Sequence, residues 1–134
     1  MHNVHHQFVC KNVYIRPENN DTVMTAGLES GKALKIPIAH GEGNFYADEQ
    51  TMQSMNANGQ ILFRYCDENG NIRPEANPNG TTDNIAGICN ESKNVFGMMP
   101  HPERATDALL GNTDGRKILE SFFKHQREKA LLNA

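Results

Sequence analysis

Val95-Phe96-Gly97-Met98-Met99-Pro100-His101-Pro102-Glu103-Arg104 is an apolar run that stops at a proline and releases a histidine and a carboxylate together. The first half reads as a β-strand, because aromatic and β-branched residues favour the pleated, half-buried surface and proline ends it. Pro102 fixes its own φ and biases His101 toward extended backbone, so the ring and the carboxylate leave one strand end in a stiffened relative placement. Taken alone, a histidine after a strand is more often a surface residue than a catalytic base. A histidine titrating near neutrality can nonetheless take a proton from a thiol, while a carboxylate on its other ring nitrogen fixes the tautomer and stabilises the imidazolium. His101 and Glu103 are therefore candidate catalytic residues, two members of a Cys-His-Glu triad.

Working outward, Ile85-Ala86-Gly87-Ile88-Cys89 is a second strand pattern, and the polar Asn90–Asn94 segment between the two predicts a hairpin. Gly87-Ile88-Cys89-Asn90 imitates the start of a nucleophile elbow, but Glu91 stands where glycine is needed for the strained turn, so Cys89 reads as a strand residue. Residues 67–83 are crowded with Asn, Gly and Pro and predict an exposed loop. Before it, 60–66 predicts a strand, and 48–58, with Met52 and Met55 three apart and Asn58-Gly59 at its end, a short amphipathic helix. Ala33–Ala39 predicts a strand in which Pro37 marks an edge or an end. It delivers His40-Gly41-Glu42-Gly43 to a loop, and His40 and Glu42 there are a possible active-site loop or a polar tight turn. Gln7–Ile15 predicts the first strand. Ile118, Leu119, Phe122 and Phe123 make the stripe of an amphipathic helix from about residue 114 to about residue 129 that packs one face on the sheet.

The chain has 134 residues and a formal charge of -3 with both signs mixed throughout. That length fits one domain or part of one, and no basic stripe suits a phosphate backbone, so nucleic acid is not an expected partner. No apolar run approaches the roughly 20 residues that span a bilayer, and no charged-then-apolar leader opens the chain. A cytoplasmic location is expected, without membrane association. Cys10, Cys66 and Cys89 lack the spacing of a disulfide framework or a zinc knuckle. The His2, His5 and His6 cluster could chelate a metal, although chain termini commonly fray.

Pro100-His101-Pro102-Glu103, joined to Ile36-Pro37-Ile38-Ala39-His40-Gly41-Glu42-Gly43-Asn44-Phe45-Tyr46 and Asn84-Ile85-Ala86-Gly87, resembles the class I glutamine amidotransferases. Among them it is similar to the glutaminase subunits of phosphoribosylformylglycinamidine synthases, and the similarity runs across nearly the whole chain. The resemblance implies an α/β fold: residues 1–134 as the C-terminal portion of a single flavodoxin-like amidotransferase domain, a mixed sheet with a C-terminal amphipathic helix. It carries the general base onto His101 and its orienting carboxylate onto Glu103. The family's nucleophile lies in a Gly-x-Cys-x-Gly turn, which this sequence does not contain; the expectation is a truncated chain, inactive alone.

The resemblance further implies that glutamine is the substrate and that ammonia passes to a large formylglycinamidine ribonucleotide synthetase subunit, with a small accessory subunit, in purine biosynthesis. No cofactor is expected on this chain, and ATP and magnesium would be used by the large partner. Two other readings stand beside this one: a non-catalytic partner-binding module of the same complex, and a histidine-based metal-binding module.

Overall fold

The computed structural model describes residues 1–132. Five strands, β1 (Val9–Pro17), β2 (Leu34–His40), β3 (Ile61–Cys66), β4 (Ile85–Cys89) and β5 (Phe96–Met98), form one sheet in the order β2-β1-β3-β4-β5. Two helices accompany it, α1 (Glu49–Ala57) and α2 (Asp114–Leu132). The α/β class and the C-terminal helix agree with the sequence reading, and the expected mixed sheet is corrected: every strand pairing among the described residues is antiparallel. A parallel neighbour needs a long crossover, usually an α-helix, between paired strands, and the only α-helix between consecutive strands among the described residues, α1, links β2 to β3, which are not adjacent.

Alternation decides which face is covered. Opposed pairs share a face, so the registers Val13↔Ile36, Ile15↔Leu34, Ile15↔Tyr65 and Pro17↔Phe63 gather one apolar layer. That layer, with Ile38, Leu62, Ala86 and Cys89, meets Ile118 of α2 and Ala105 in the main core. Helix α1 begins at Asp48, whose side chain accepts from Thr51 N, and sets Met52 and Met55 against Ile61 and Ile85 in a smaller cluster. The hairpin between β4 and β5 is closed by Asn90, whose Oδ1 accepts from Asn94 N and Val95 N.

Two features of the fold place the chain after β5. Met99 N donates to Ala86 O, and two residues on, His101 N donates to Pro37 O of β2, at the opposite edge of the sheet. The sheet is curled enough for one short segment to bridge its edges. Pro37 fits this arrangement because its carbonyl faces outward from β1, where a missing N–H leaves no ladder bond unmade. The second feature is the packing of α2 on the short 3-10 turn Pro102–Arg104: Arg116 N donates to Ala105 O, and Gly115 lies against the Pro102 carbonyl.

The loop between β3 and β4 departs from its expected exposure. Pro78, Asn79 and Thr81 are buried, Asn79 completely. Polarity alone predicts solvent, but a polar side chain whose hydrogen bonds are all met within the protein is stable inside it.

Candidate active site

Strand β5 and the 3-10 turn after it deliver the histidine and carboxylate that the sequence singled out. His101 Nδ1 and Glu103 Oε1 are 2.8 Å apart, with the His101 side chain one-third exposed and that of Glu103 more open. His101 is anchored by its own N–H on Pro37 O, and Arg104 N closes the turn on His101 O. A carboxylate on Nδ1 holds the proton there and leaves Nε2 as the basic nitrogen; among the described residues Nε2 has no hydrogen-bond partner. In that tautomer the ring's lone pair sits on Nε2. Arg104 Nε stands 3.8 Å from the same Glu103 oxygen with both side chains mostly exposed, a solvated contact of little energetic weight.

The His-Gly-Glu-Gly loop divides its two candidates. Glu42 points to solvent and meets His2 Nδ1 at 3.2 Å. His40, the last residue of β2, is buried, with Nδ1 3.0 Å from Asn3 Oδ1 and Nε2 3.5 Å from Asn79 Nδ2. The structure therefore brings His101 and Glu103 together and holds His40 beneath the loop. A cavity of about 390 Å³ lies between that loop, at Glu42, Gly43 and Asn44, and the β4 and β5 backbone from which His101 departs.

Electrostatics separate the histidines. Burial is the largest influence on His40 and holds it below the usual histidine value; a backbone hydrogen bond opposes this, and charge on His101 and His5 adds to the lowering. The unfolded chain therefore takes up a proton near pH 6.5 while the folded ring does not. More protons bound in the unfolded state mean that stability falls as pH drops below that value, levelling once the folded ring is also protonated. Denaturant midpoints should fall between about pH 7 and about pH 5, with a smaller slope in His40→Gln; parallel slopes would refute the assignment. Asp48, Asp67 and Asp114, whose carboxyls are lowered from 3.8, act in a separate, more acidic window.

Two of the three cysteines present here are poor nucleophiles by the same reasoning. Burial pushes the Cys66 thiol up to about 11 and also raises Cys89, which sits in β4 with its N–H on Gln60 O rather than on an elbow. A thiol kept protonated is chemically inert. Cys10 is exposed on β1. The His2 and His6 rings lie 5.9 Å apart between centroids and tilted by 43°, whereas His5 Nε2 turns to Pro78 O. Among the described residues no group of three His, Cys, Asp or Glu side chains could hold a metal ion. Nor is any helix among them long and apolar enough to cross a membrane.

Asn3 and Asn79 carry little local signal in the sequence, since the contacts that join them to His40 and Gly43 span nearly forty residues. The Tyr65 hydroxyl is fully buried and no hydrogen bond of good geometry reaches it among the described residues; the Asn79 side chain stands near enough only to oppose the burial that raises its pKa. An unmet buried hydroxyl costs about 1–3 kcal/mol, so Tyr65→Phe should leave stability unchanged or raise it by about 1 kcal/mol. Loss of stability in a denaturant titration would show that the hydroxyl is bonded after all.

Comparison with known proteins follows the same outline. The CobB/CobQ-like glutamine amidotransferase domain matches residues 1–127. The chain is 51% identical over 125 residues to phosphoribosylformylglycinamidine synthase subunit PurQ of Methanocaldococcus jannaschii, across 93% of this chain and 54% of that protein. It is 54% identical over 120 residues to the Aquifex aeolicus subunit of the same name, across 90% and 53%. Among solved structures, the structure of PurLQS from Thermotoga maritima superposes with a TM-score of 0.76 at 38% identity, covering 94% of this chain and 51% of that one. The chain spans about half the length of the curated relatives it matches.

Proposed function

Since the chain belongs to the CobB/CobQ-like glutamine amidotransferase domain family, we propose that it supplies the base-bearing part of a glutaminase site serving phosphoribosylformylglycinamidine synthase in purine biosynthesis. The observation that carries this reading is the 2.8 Å contact between His101 Nδ1 and Glu103 Oε1, with Nε2 left to act. In that role Nε2 takes the proton of a cysteine thiol as sulfur attacks the side-chain amide carbon of glutamine. The proton then goes to the departing nitrogen, releasing ammonia and leaving a glutamyl thioester. Water, deprotonated by the same nitrogen, hydrolyses the thioester. Glu103 keeps the ring in one tautomer and stabilises its charged form throughout.

These 134 residues contain no Gly-x-Cys-x-Gly turn, and the buried thiols of Cys66 and Cys89 are held protonated. In this reading the attacking thiol comes from polypeptide outside them, since the exposed Cys10 on β1 lies in no such turn either. Ammonia would pass to a large synthetase subunit, which would use ATP and magnesium, and a small accessory subunit would complete the assembly. The name of the Thermotoga maritima relative, PurLQS, supports a multi-subunit partner set.

The test is ammonia release from glutamine by this chain, alone and mixed with a separately produced N-terminal half of a related PurQ subunit. Activity only in the mixture supports the shared site. Activity of the chain alone would require a nucleophile within it and would overturn the division of the triad.

A further inference from the structure

Among the described residues His40 is the one buried histidine, both of its ring nitrogens face a buried side-chain amide, and these surroundings fix its state. Asn3 is fully buried, and its amide nitrogen donates to Gln7 O at 2.8 Å and to His40 O at 2.9 Å. The other end of that amide is therefore the oxygen, and Gly43 N already donates to it at 3.0 Å. An amide oxygen only accepts, so the 3.0 Å contact with His40 Nδ1 requires the ring proton on Nδ1. Nε2 then carries the lone pair and faces Asn79 Nδ2, which also donates to Gly43 O at 2.8 Å. Asn79 is itself fixed, with its Oδ1 accepting from Thr81 N.

Gly43 rests on this ring. A Cβ there would lie 2.7 Å from His40 Nε2 and closer still to Cε1 and Nδ1. Asn3 N adds a bond to Gly41 O. Thus Gly41 O is held by the Asn3 backbone N–H, Gly43 N and O by the buried Asn3 and Asn79 amides, and the Gly43 backbone packs on the imidazole. The same strand that ends at His40 accepts the His101 N–H at Pro37 O, and the loop forms a wall of the cavity beside the strand leading to His101.

We propose that Asn3 and Asn79 clamp His40 as a neutral, Nδ1-protonated platform, which makes His40 a positioning residue that sets the Gly41–Asn44 wall of the site against His101. This rests on the glutaminase reading for what the site does, but the clamp itself is a statement about hydrogen bonds. A neutral ring suits the task, because a proton on Nε2 would confront the Asn79 amide hydrogens.

Two measurements test it. Two-bond nitrogen–proton correlation spectra of the histidine-labelled chain should show His40 as the Nδ1–H tautomer and neutral at pH 6.5, with Asn3→Ala converting it to a mixed, titrating ring. An Nε2–H tautomer, or ordinary titration in the unaltered chain, overturns the clamp. In the reconstituted assembly, Asn3→Ala should raise KM for glutamine about tenfold while kcat stays within about twofold, and Asn3→Gln should not restore it. A loss confined to kcat or to the folded fraction would mean that the clamp is merely structural. If no assembly releases ammonia, the positioning role falls with the reading it rests on, while the spectra still decide the clamp.

Discussion

Alanine at position 115 should separate α2 from the turn that carries Glu103. Gly115 is the second residue of α2, and a Cβ there would overlap the Pro102 carbonyl oxygen and stand 2.7 Å from its carbon and 2.9 Å from Ala105 O. All three are backbone atoms, so no side-chain rotation relieves the contact; the helix or the turn must move. Overpacking of this kind costs about 1–3 kcal/mol, occasionally more, and the backbone character of the obstacle places Gly115→Ala at about 3 kcal/mol. Movement would also strain the Arg116 N to Ala105 O bond and the burial of Ile118 and Ser121. Gly97→Ala is the control, because its Cβ would meet nothing within 4 Å. The denaturation midpoint should drop sharply in the first and barely move in the second. Equal midpoints would refute the close packing of α2 on residues 102–105.

His101→Ala should show the opposite balance of effects. In the reconstituted assembly, removal of a general base should lower kcat by about 10²–10⁴-fold. Stability should hardly change, since the ring is one-third exposed and its exposed pairing with Glu103 contributes at most about 1 kcal/mol. Glu103→Gln retains an acceptor oxygen at Nδ1 but no charge to stabilise the imidazolium, so its loss should be smaller, with KM little changed. Retention of full kcat in His101→Ala would remove the proposed base. A parallel fall in melting temperature and activity would instead place the pair in the scaffold.

Much of this was legible in the sequence because its causes are local. Alternation in residues 33–39, the apolar run in 60–66, the Asp48 and Asn58 caps, and the apolar stripe of α2 each act within a turn or a strand, although Phe123 at the end of that stripe is left exposed and Ile118 alone of it enters the core. The elements begin and end within two or three residues of where those signals fall. Proline carried similar information: Pro37 marked an edge strand, and Pro102 stiffened a histidine and carboxylate that do meet. Cys89 likewise lies in a strand, as the missing glycine at 91 implied.

What the sequence alone determined, then, was the set of elements and the His101–Glu103 pair, because φ restriction, side-chain periodicity and capping depend on neighbours in the chain. Tertiary structure decided the rest. It made the sheet antiparallel throughout, buried Asn79 inside a loop whose composition suggested solvent, and turned His40 from a candidate loop residue into a clamped ring. Those outcomes depend on which polar groups meet across some forty residues of chain, as Asn3 and Asn79 do at His40. A buried amide is stable only when its partners arrive, and residue order does not reveal their arrival.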